Sequence, residues 1–567
     1  WAKNNAAVTL TVTGSWTGTV KDPELTAPTV TLYSDDTDSA VGTNSVLISE
    51  SVLAAAAADT GISIAVTLSG ADASWTMTES TEVAALTVDS GSVSFPAAAT
   101  DGSFTGSTLT VDGDYQSNGG TIKMNTVLGG DDSKTDKMIV KGNTSGSTTL
   151  KVNNVGGAGA QTTDGITLIE VDGTSDGTFT LSGTVRGGAY VYSLGKADKN
   201  WVLTSLLDPE PEPEPDPDPT PTPDPTPEPT PAPDPDIEDH AVRPEAASYA
   251  TNLYAANTMF AMKLSDRLGG AAFSESLKSG SKRAGSVWLR TAGGHTRHGM
   301  ADGQTVTRGN YGLAQIGGDF ITWPGAGGQR FHAGFMAGYA HERSKTGSSV
   351  VNYQSKGKTD GYSVGLYGTW MNSEPTGAGP YVDTWVQYQR YKNTVDSSDY
   401  EVEETYHTHG FTVSLEGGYT FRLGDWKGEK GYENATRLRL EGQVIRMGVR
   451  GGDHFERSTR TLVQGTGAGN VRTRLGLTAY HLFTNDTAGT AVKPYQTMNW
   501  YHDTKRFGAV MDGTRDTITG SRNFGEVKLG VEGRIRKNVN FWGAAGYQQG
   551  THGFRNLEAQ LGAKILF

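Results

Sequence analysis

The sequence has no cysteine, which excludes disulfide staples, thiolate metal sites and thiol nucleophiles. It also lacks any run of about 18 apolar residues, so no helix is expected to span a bilayer. Histidine is scarce, 11 in all, and none precedes His240. The histidines show no metal-ligand spacing on a helix, so neither a metal nor a cofactor is expected. Basic residues are outnumbered by acidic ones, 48 against 62, for a net charge of −14 that argues against a nucleic-acid partner. An initiator Met and a signal-peptide pattern are missing from the opening WAKNNAAVTLTV, as expected of the C-terminal part of a longer secreted precursor.

What is present falls into three textures. Residues 1–207 are rich in Thr, Ser, Gly, Val and Asp. Runs such as AALTVDSGSVSF, STLTVDGDY and GITLIEVDG alternate apolar with polar and break at Gly, Asn or Asp, so each reads as strand and turn. The breaks recur at roughly 20-residue intervals, which predicts stacked β-solenoid rungs with a narrow core of small β-branched residues. Residues 208–242 form a Pro- and acid-rich linker. Every second residue from Pro209 to Pro235 is proline, a pattern restricted to polyproline II, which over its roughly 27 residues would act as a stiff spacer of about 80 Å.

A helix is expected within 243–270, from about Glu245 to Leu268: Pro244 suits a first turn, Glu245 an N-terminus and Gly269 a stop. At about 24 residues it would be about 36 Å long, close to a bilayer's thickness. It carries Asn252, Asn257, Lys263, Asp266 and Arg267, too polar for lipid. Residues 271–567 hold seven of the eleven tryptophans and long alternating segments. TRLRLEGQV sets Leu438, Leu440 and Val444 against Arg437, Arg439 and Glu441. NVRTRLGLTA sets Val471, Leu475 and Leu477 against Arg472 and Arg474. About twelve such strands of ten or more residues, with aromatics near their ends, predict a closed antiparallel transmembrane barrel, apolar outside and polar within. Closure also explains the ending NLEAQLGAKILF. Leu557, Leu561, Ile565 and Phe567 share a face that would meet outer-membrane lipid in a strand paired on both sides.

Two motifs resemble catalytic or metal signatures and are read as decoys. TVDSGSVSF is near the Gly-Asp-Ser-Gly of trypsin-like proteases, but Val88 replaces the glycine and no histidine lies upstream of Ser90. GGDDSKTDKM is near a calcium-binding nonapeptide, with Asp132 in place of a glycine; Asp131, Asp132 and Asp136 read as a solvated loop. His407 and His409 share one strand face and read as polar lumen or loop lining.

In combination, RPEAASYATNLYAANTMFAMKLSDRLG, FHAGFMAGYAHERSK, DGYSVGLYGTW, GNVRTRLGL, VEGRIRKNVNFWGAAGYQQG and the terminal aromatic strand resemble the translocator of type Va autotransporters, especially the AIDA-type adhesins. DSKTDKMIVKGNTSGSTTLKVNN with GAYVYSLGKADKNWVLTS resembles the pertactin-like autochaperone stem of their passengers, at about 107–207. The resemblance implies an all-β protein: a right-handed β-solenoid stem, a linker, a pore helix and a 12-stranded outer-membrane barrel. It implies type V secretion, in which the passenger crosses the barrel and folds on the cell surface. Periplasmic chaperones and the barrel assembly machinery would be partners, the latter reading Leu561, Ile565 and Phe567. The passenger would be an adhesin acting through self-association or a host surface ligand, in aggregation and biofilm. No catalytic constellation is visible; an enzyme passenger, protease or esterase, would need residues upstream of Trp1.

Overall fold

A computed structural model describes residues 6–12, 15–17, 31–33, 44–45, 62–99, 103–207, 239–268, 285–325, 329–372, 378–428, 432–485, 489–536 and 538–567. The chain divides into two compact units, residues 1–243 and 244–567.

The first unit is a β-solenoid of parallel rungs. Thr81–Val83, Thr108–Val111, Lys137–Val140 and Ile166–Val171 lie side by side in one sheet. Ile62–Ser69, Ala85–Asp89, Tyr115–Thr126 and Thr144–Asn154 line the other. The alternation seen in the sequence sends one residue in two inward, so each rung stacks like on like. Val83, Val111, Val140 and Val171 form one buried column, and Trp75, Val93, Ile122 and Leu150 another. The period is longer than the expected 20 residues. The paired Glu82, Thr110, Ile139 and Glu170 are 28, 29 and 31 residues apart. The breaks within a rung are corners, which the sequence spacing had merged with the turns between rungs.

Asp131 and Asp136 of the calcium-like loop tie rungs together, and Asp136 is fully buried, contrary to the expected solvated loop. Asp131 accepts the N–H groups of Thr163 and Gly165 at 3.0 and 2.7 Å, and these outweigh burial to hold its carboxyl below the usual range. Asp136 accepts Ser107 N–H and Asn125 N–H, both at 2.8 Å. Ser90 sits at a turn with φ of 61°. Ile166–Val171, the last parallel strand of the first sheet, is covered by the antiparallel pair Tyr190–Ala197 and Asn200–Thr204.

Asp239–Arg243 departs from the expected linker and belongs to this unit. Leu207 N–H donates to Asp239 O at 2.9 Å, Ala241 N–H to Ser205 O at 2.8 Å, and Arg243 N–H to Ala189 O at 2.9 Å. The Arg243 guanidinium is buried and donates to Gly188 O at 2.9 Å. Residues 208–238 lie outside the described residues, but their flanks meet in one hydrogen bond. The stiff-spacer expectation falls on those residues and so lies outside the described part of the chain; what is described is that Leu207 and Asp239, on either side of them, are hydrogen-bonded.

The second unit is a closed barrel of twelve antiparallel strands. In chain order they are β1 (Ser286–Gly299), β2 (Thr305–Pro324), β3 (Gln329–Ser348), β4 (Gln354–Asn372), β5 (Gly379–Ser397) and β6 (Tyr400–Lys427). They continue as β7 (Glu433–Met447), β8 (Asn470–Asn485), β9 (Thr490–Asp503), β10 (Asn523–Arg536), β11 (Val539–Gly550) and β12 (Arg555–Leu566). β12 pairs β1 from Ser286–Leu566 to Arg297–Arg555, so no edge is left. The outward row is apolar and exposed, as at Tyr362, Val364, Leu366, Leu475 and Leu529, while the alternate residues are buried in the lumen. Such a band of exposed apolar residues around a closed sheet is what lipid contact requires. His407 and His409 face outward and not into the lumen. They lie on β6 toward the connection from β5, beyond the apolar row that begins at Phe411, where histidine can be solvated.

A candidate functional site in the barrel lumen

Inside the barrel lie α1 (Glu245–Thr258) and α2 (Leu264–Leu268). The single helix expected over 24 residues is thus broken at 259–263. No Gly or Pro causes the break; the wall does. Gln387 Nε2 donates to Phe260 O at 3.0 Å, and Gln443 Nε2 and Trp385 Nε1 donate to Met262 O at 2.8 and 3.2 Å. Glu416 accepts Leu264 N–H at 3.0 Å. Backbone groups freed from the helix are re-bonded by side chains from β5, β6 and β7, which removes the desolvation cost of unwinding.

The polar residues of the helical segment are buried and bonded to the wall, but to partners other than the arginine row. Asn252 Nδ2 donates to Thr394 O at 3.0 Å and to the Tyr406 hydroxyl at 3.1 Å. Asn257 donates to Val449 O at 3.0 Å and accepts Val449 N–H at 3.2 Å. Lys263 faces Glu526 at 3.4 Å, Asp266 accepts from Gln560 at 3.0 Å, and Arg267 binds Asp383 at 2.6 Å and Thr369 at 2.8 Å.

The set Arg437, Arg439, Glu441, Arg472 and Arg474 is buried in the lumen. It pairs within the wall: Arg437 with Asp425 at 2.5 Å, Arg439 with Glu441, Arg472 with Asp503 through two bonds of 2.7 and 2.8 Å, and Arg474 with Glu441 at 2.7 Å and Glu416 at 3.2 Å. Strand alternation gives a face but not a partner: Arg439 pairs within its own strand, while Arg437, Arg472 and Arg474 pair with carboxylates of adjacent strands, and alternation alone does not choose between these. The same alternation would have placed Trp385, Gln387 and Gln443 in the lumen, where they hold the unwound turn.

Around α1 the wall is supplemented. The connections β7–β8 and β9–β10 form a four-stranded sheet of His454–Phe455, Leu462–Thr466, Gly508–Met511 and Thr514–Thr517. Tyr249 donates to Glu456 at 3.0 Å and packs on the His454 ring, while Tyr254 packs edge-on against Phe507 and Phe554. A cavity of about 100 Å³ lies beside the helical segment, lined by charged groups including Asp266, Glu342, Arg472 and Lys528. At the opposite end of the lumen the last residue closes the ring. Phe567 and Gly285 exchange two backbone hydrogen bonds of 3.0 Å, and the Phe567 ring is 75% exposed in the same outward row as Leu561 and Ile565.

Comparison with known proteins agrees with this architecture. Residues 287–546 match the autotransporter beta-domain family and residues 81–194 the Autochaperone Domain Type 1 family. The chain is 42% identical over 472 residues to the uncharacterized protein YdeU of Escherichia coli K12, covering 82% of this chain and 99% of that one. It is 36% identical over 472 residues to the autotransporter adhesin AIDA-I of Escherichia coli, covering 82% of this chain but only 34% of AIDA-I. A shorter match, 29% over 219 residues, is to the autotransporter adhesin/invasin TibA of Escherichia coli, covering 37% of this chain and 20% of TibA. The crystal structure of the AIDA-I transport unit from Escherichia coli aligns with a TM-score of 0.51 at 34% identity, over 57% of this chain and 99% of that unit. An outer-membrane barrel with its own stem threaded ahead of it, matched along both parts, makes this chain a member of the autotransporter family.

Proposed function

We propose that the chain exports and displays its own N-terminal region on the bacterial surface, and that this region is an adhesive module. One observation carries the export reading: the segment after the stem lies inside the pore, with its polar side chains bonded to the lumen wall. A chain that has passed through a pore and stopped leaves its trailing end there. In this reading α1 and α2 seal the lumen after translocation, and the row Leu561, Ile565 and Phe567 is the strand face read by the assembly machinery after periplasmic chaperones deliver the chain. The adhesive reading rests on the adhesins AIDA-I and TibA among the relatives, and on the flat parallel sheets of the solenoid, whose polar outward side chains suit a second copy or a host surface ligand.

Cells displaying the full chain are compared with cells displaying it without residues 1–207, for settling and for binding to host-cell surfaces. The full chain is expected to promote one or the other and the truncated chain neither. Equal behaviour of the two, with both confirmed in the outer membrane, would defeat the adhesive reading.

A further inference from the structure

Lys564 of β12 is completely buried in the lumen, and its Nζ reaches Asp319 of β2 at 3.2 Å. These strands are not neighbours; β1 lies between them. Lys564 is registered opposite Trp288, and Asp319 opposite Ser286, so the ion pair crosses β1 diagonally on its lumen face. Ser286 donates to the same carboxylate at 2.5 Å. The Lys564–Asp319 pair can exist only when β12 has paired with β1, that is, only in a closed barrel.

Asp319 is joined to the helical segment by a short chain of contacts. The Tyr367 hydroxyl of β4 donates to Asp319 Oδ1 at 2.6 Å and accepts from Trp288 Nε1 at 3.2 Å. The Tyr367 ring lies 3.8 Å from the Arg267 guanidinium, whose Nη2 is held by Thr369 and Asp383. A guanidinium over an aromatic face needs that face fixed. Here the ring is fixed through its hydroxyl by a carboxylate that is itself held across the closure seam.

We propose that Lys564 and Asp319 are positioning residues that make the seating of Arg267, and with it the sealing of the pore, conditional on closure of the barrel. An unclosed sheet lacks the lysine and leaves Asp319 with only Ser286, Tyr367 and the His332 ring nitrogen at 3.5 Å, so the carboxylate and the Tyr367 hydroxyl bonded to it are held less firmly. The lumen then offers Arg267 a weaker seat, so the trailing end of the passenger is not fixed before the last strand is in place. This rests on the reading of the helical segment as the seal.

The test uses the full chain, purified folded in detergent and reconstituted into planar bilayers, with the frequency of open-pore events as readout. Losing one charge-assisted contact of this kind shifts an equilibrium by about tenfold. Lys564→Met and Arg267→Met are each expected to raise opening by about that factor. The double variant is expected to open no more often than either single one, because both break the same chain. Tyr367→Phe keeps the ring under Arg267 and removes only the hydroxyl, so it should open like Lys564→Met. It carries the same test should Lys564→Met fail to assemble. Multiplying effects in the double variant, or wild-type opening in Lys564→Met and Tyr367→Phe while Arg267→Met opens, would overturn the proposal. Deleting residues 245–268 separates the two readings. If that deletion does not open the pore, the seal itself is wrong; if it does and the point variants do not, only the coupling fails.

Discussion

At the scale of single residues, the terminal phenylalanine is the plainest case of a side chain whose role exceeds its contacts. Phe567 contributes two backbone hydrogen bonds with Gly285 and leaves its ring largely exposed to the surroundings of the barrel. Interfacial burial of one ring is worth about 1–3 kcal/mol, small beside twelve paired strands. Deleting Phe567 is therefore expected to leave refolding into detergent micelles nearly normal, read as the heat-dependent shift in gel mobility of a folded barrel. Surface display in cells should fall sharply, because recognition precedes any pairing. Normal display after the deletion would reduce Phe567 to a girdle residue. Within the stem, Leu109 is fully buried between Thr81 and Met138 of adjacent rungs. Leu109→Ala should destabilise the solenoid by about 2–5 kcal/mol, seen as a lower unfolding midpoint for the stem with the barrel's heat-modifiability unchanged.

At the scale of elements, the strands were legible because a two-residue period on a two-faced wall leaves little freedom: Leu440 against Arg439 or Leu475 against Arg474 reads the same in sequence and structure. The break between α1 and α2 was not legible, since its cause is donors such as Trp385 and Gln387, more than a hundred residues away. The return of Asp239–Arg243 to the stem was hidden for a similar reason: five residues after a long proline repeat carry no period of their own, and their pairing partners are Ala189, Val191 and Ser205. This return has two consequences. Replacing residues 208–238 by a short turn should leave stem folding and display unchanged, measured by protease resistance of the stem on intact cells; loss of the resistant fragment would show the segment to be a needed spacer. The second concerns pH. His240 accepts or donates at 3.2 Å with Ser205 Oγ, and burial pushes its imidazole below the usual value. Folding then favours the neutral ring. The stability it contributes is full above the ordinary histidine value of about 6.5 and is lost as pH falls from there toward the depressed one. Amide exchange at Ala241 and Arg243, corrected for intrinsic rate, should be faster relative to the stem core at pH 5 than at pH 7. No change would remove His240 from the clasp.

At the scale of the whole molecule, the order of parts along the chain was readable because each has its own composition: β-branched rungs, a proline repeat, one amphiphilic helical stretch, aromatic two-faced strands. The contents of the lumen were readable only as a list of inward residues. Closure decides some of the pairs, as when it brings Lys564 of β12 to Asp319 of β2, while others, such as Arg439 with Glu441, lie on one strand. In the reading proposed above, the chain's own trailing segment seals the pore it passed through. The most direct measurement is single-channel conductance in planar bilayers of the full chain and of the chain lacking residues 245–268, both first shown to be folded by heat-modifiable mobility. A sealed lumen gives a nearly silent full chain and a deleted chain with a steady, much larger conductance. Equal conductance from the two folded proteins would contradict it.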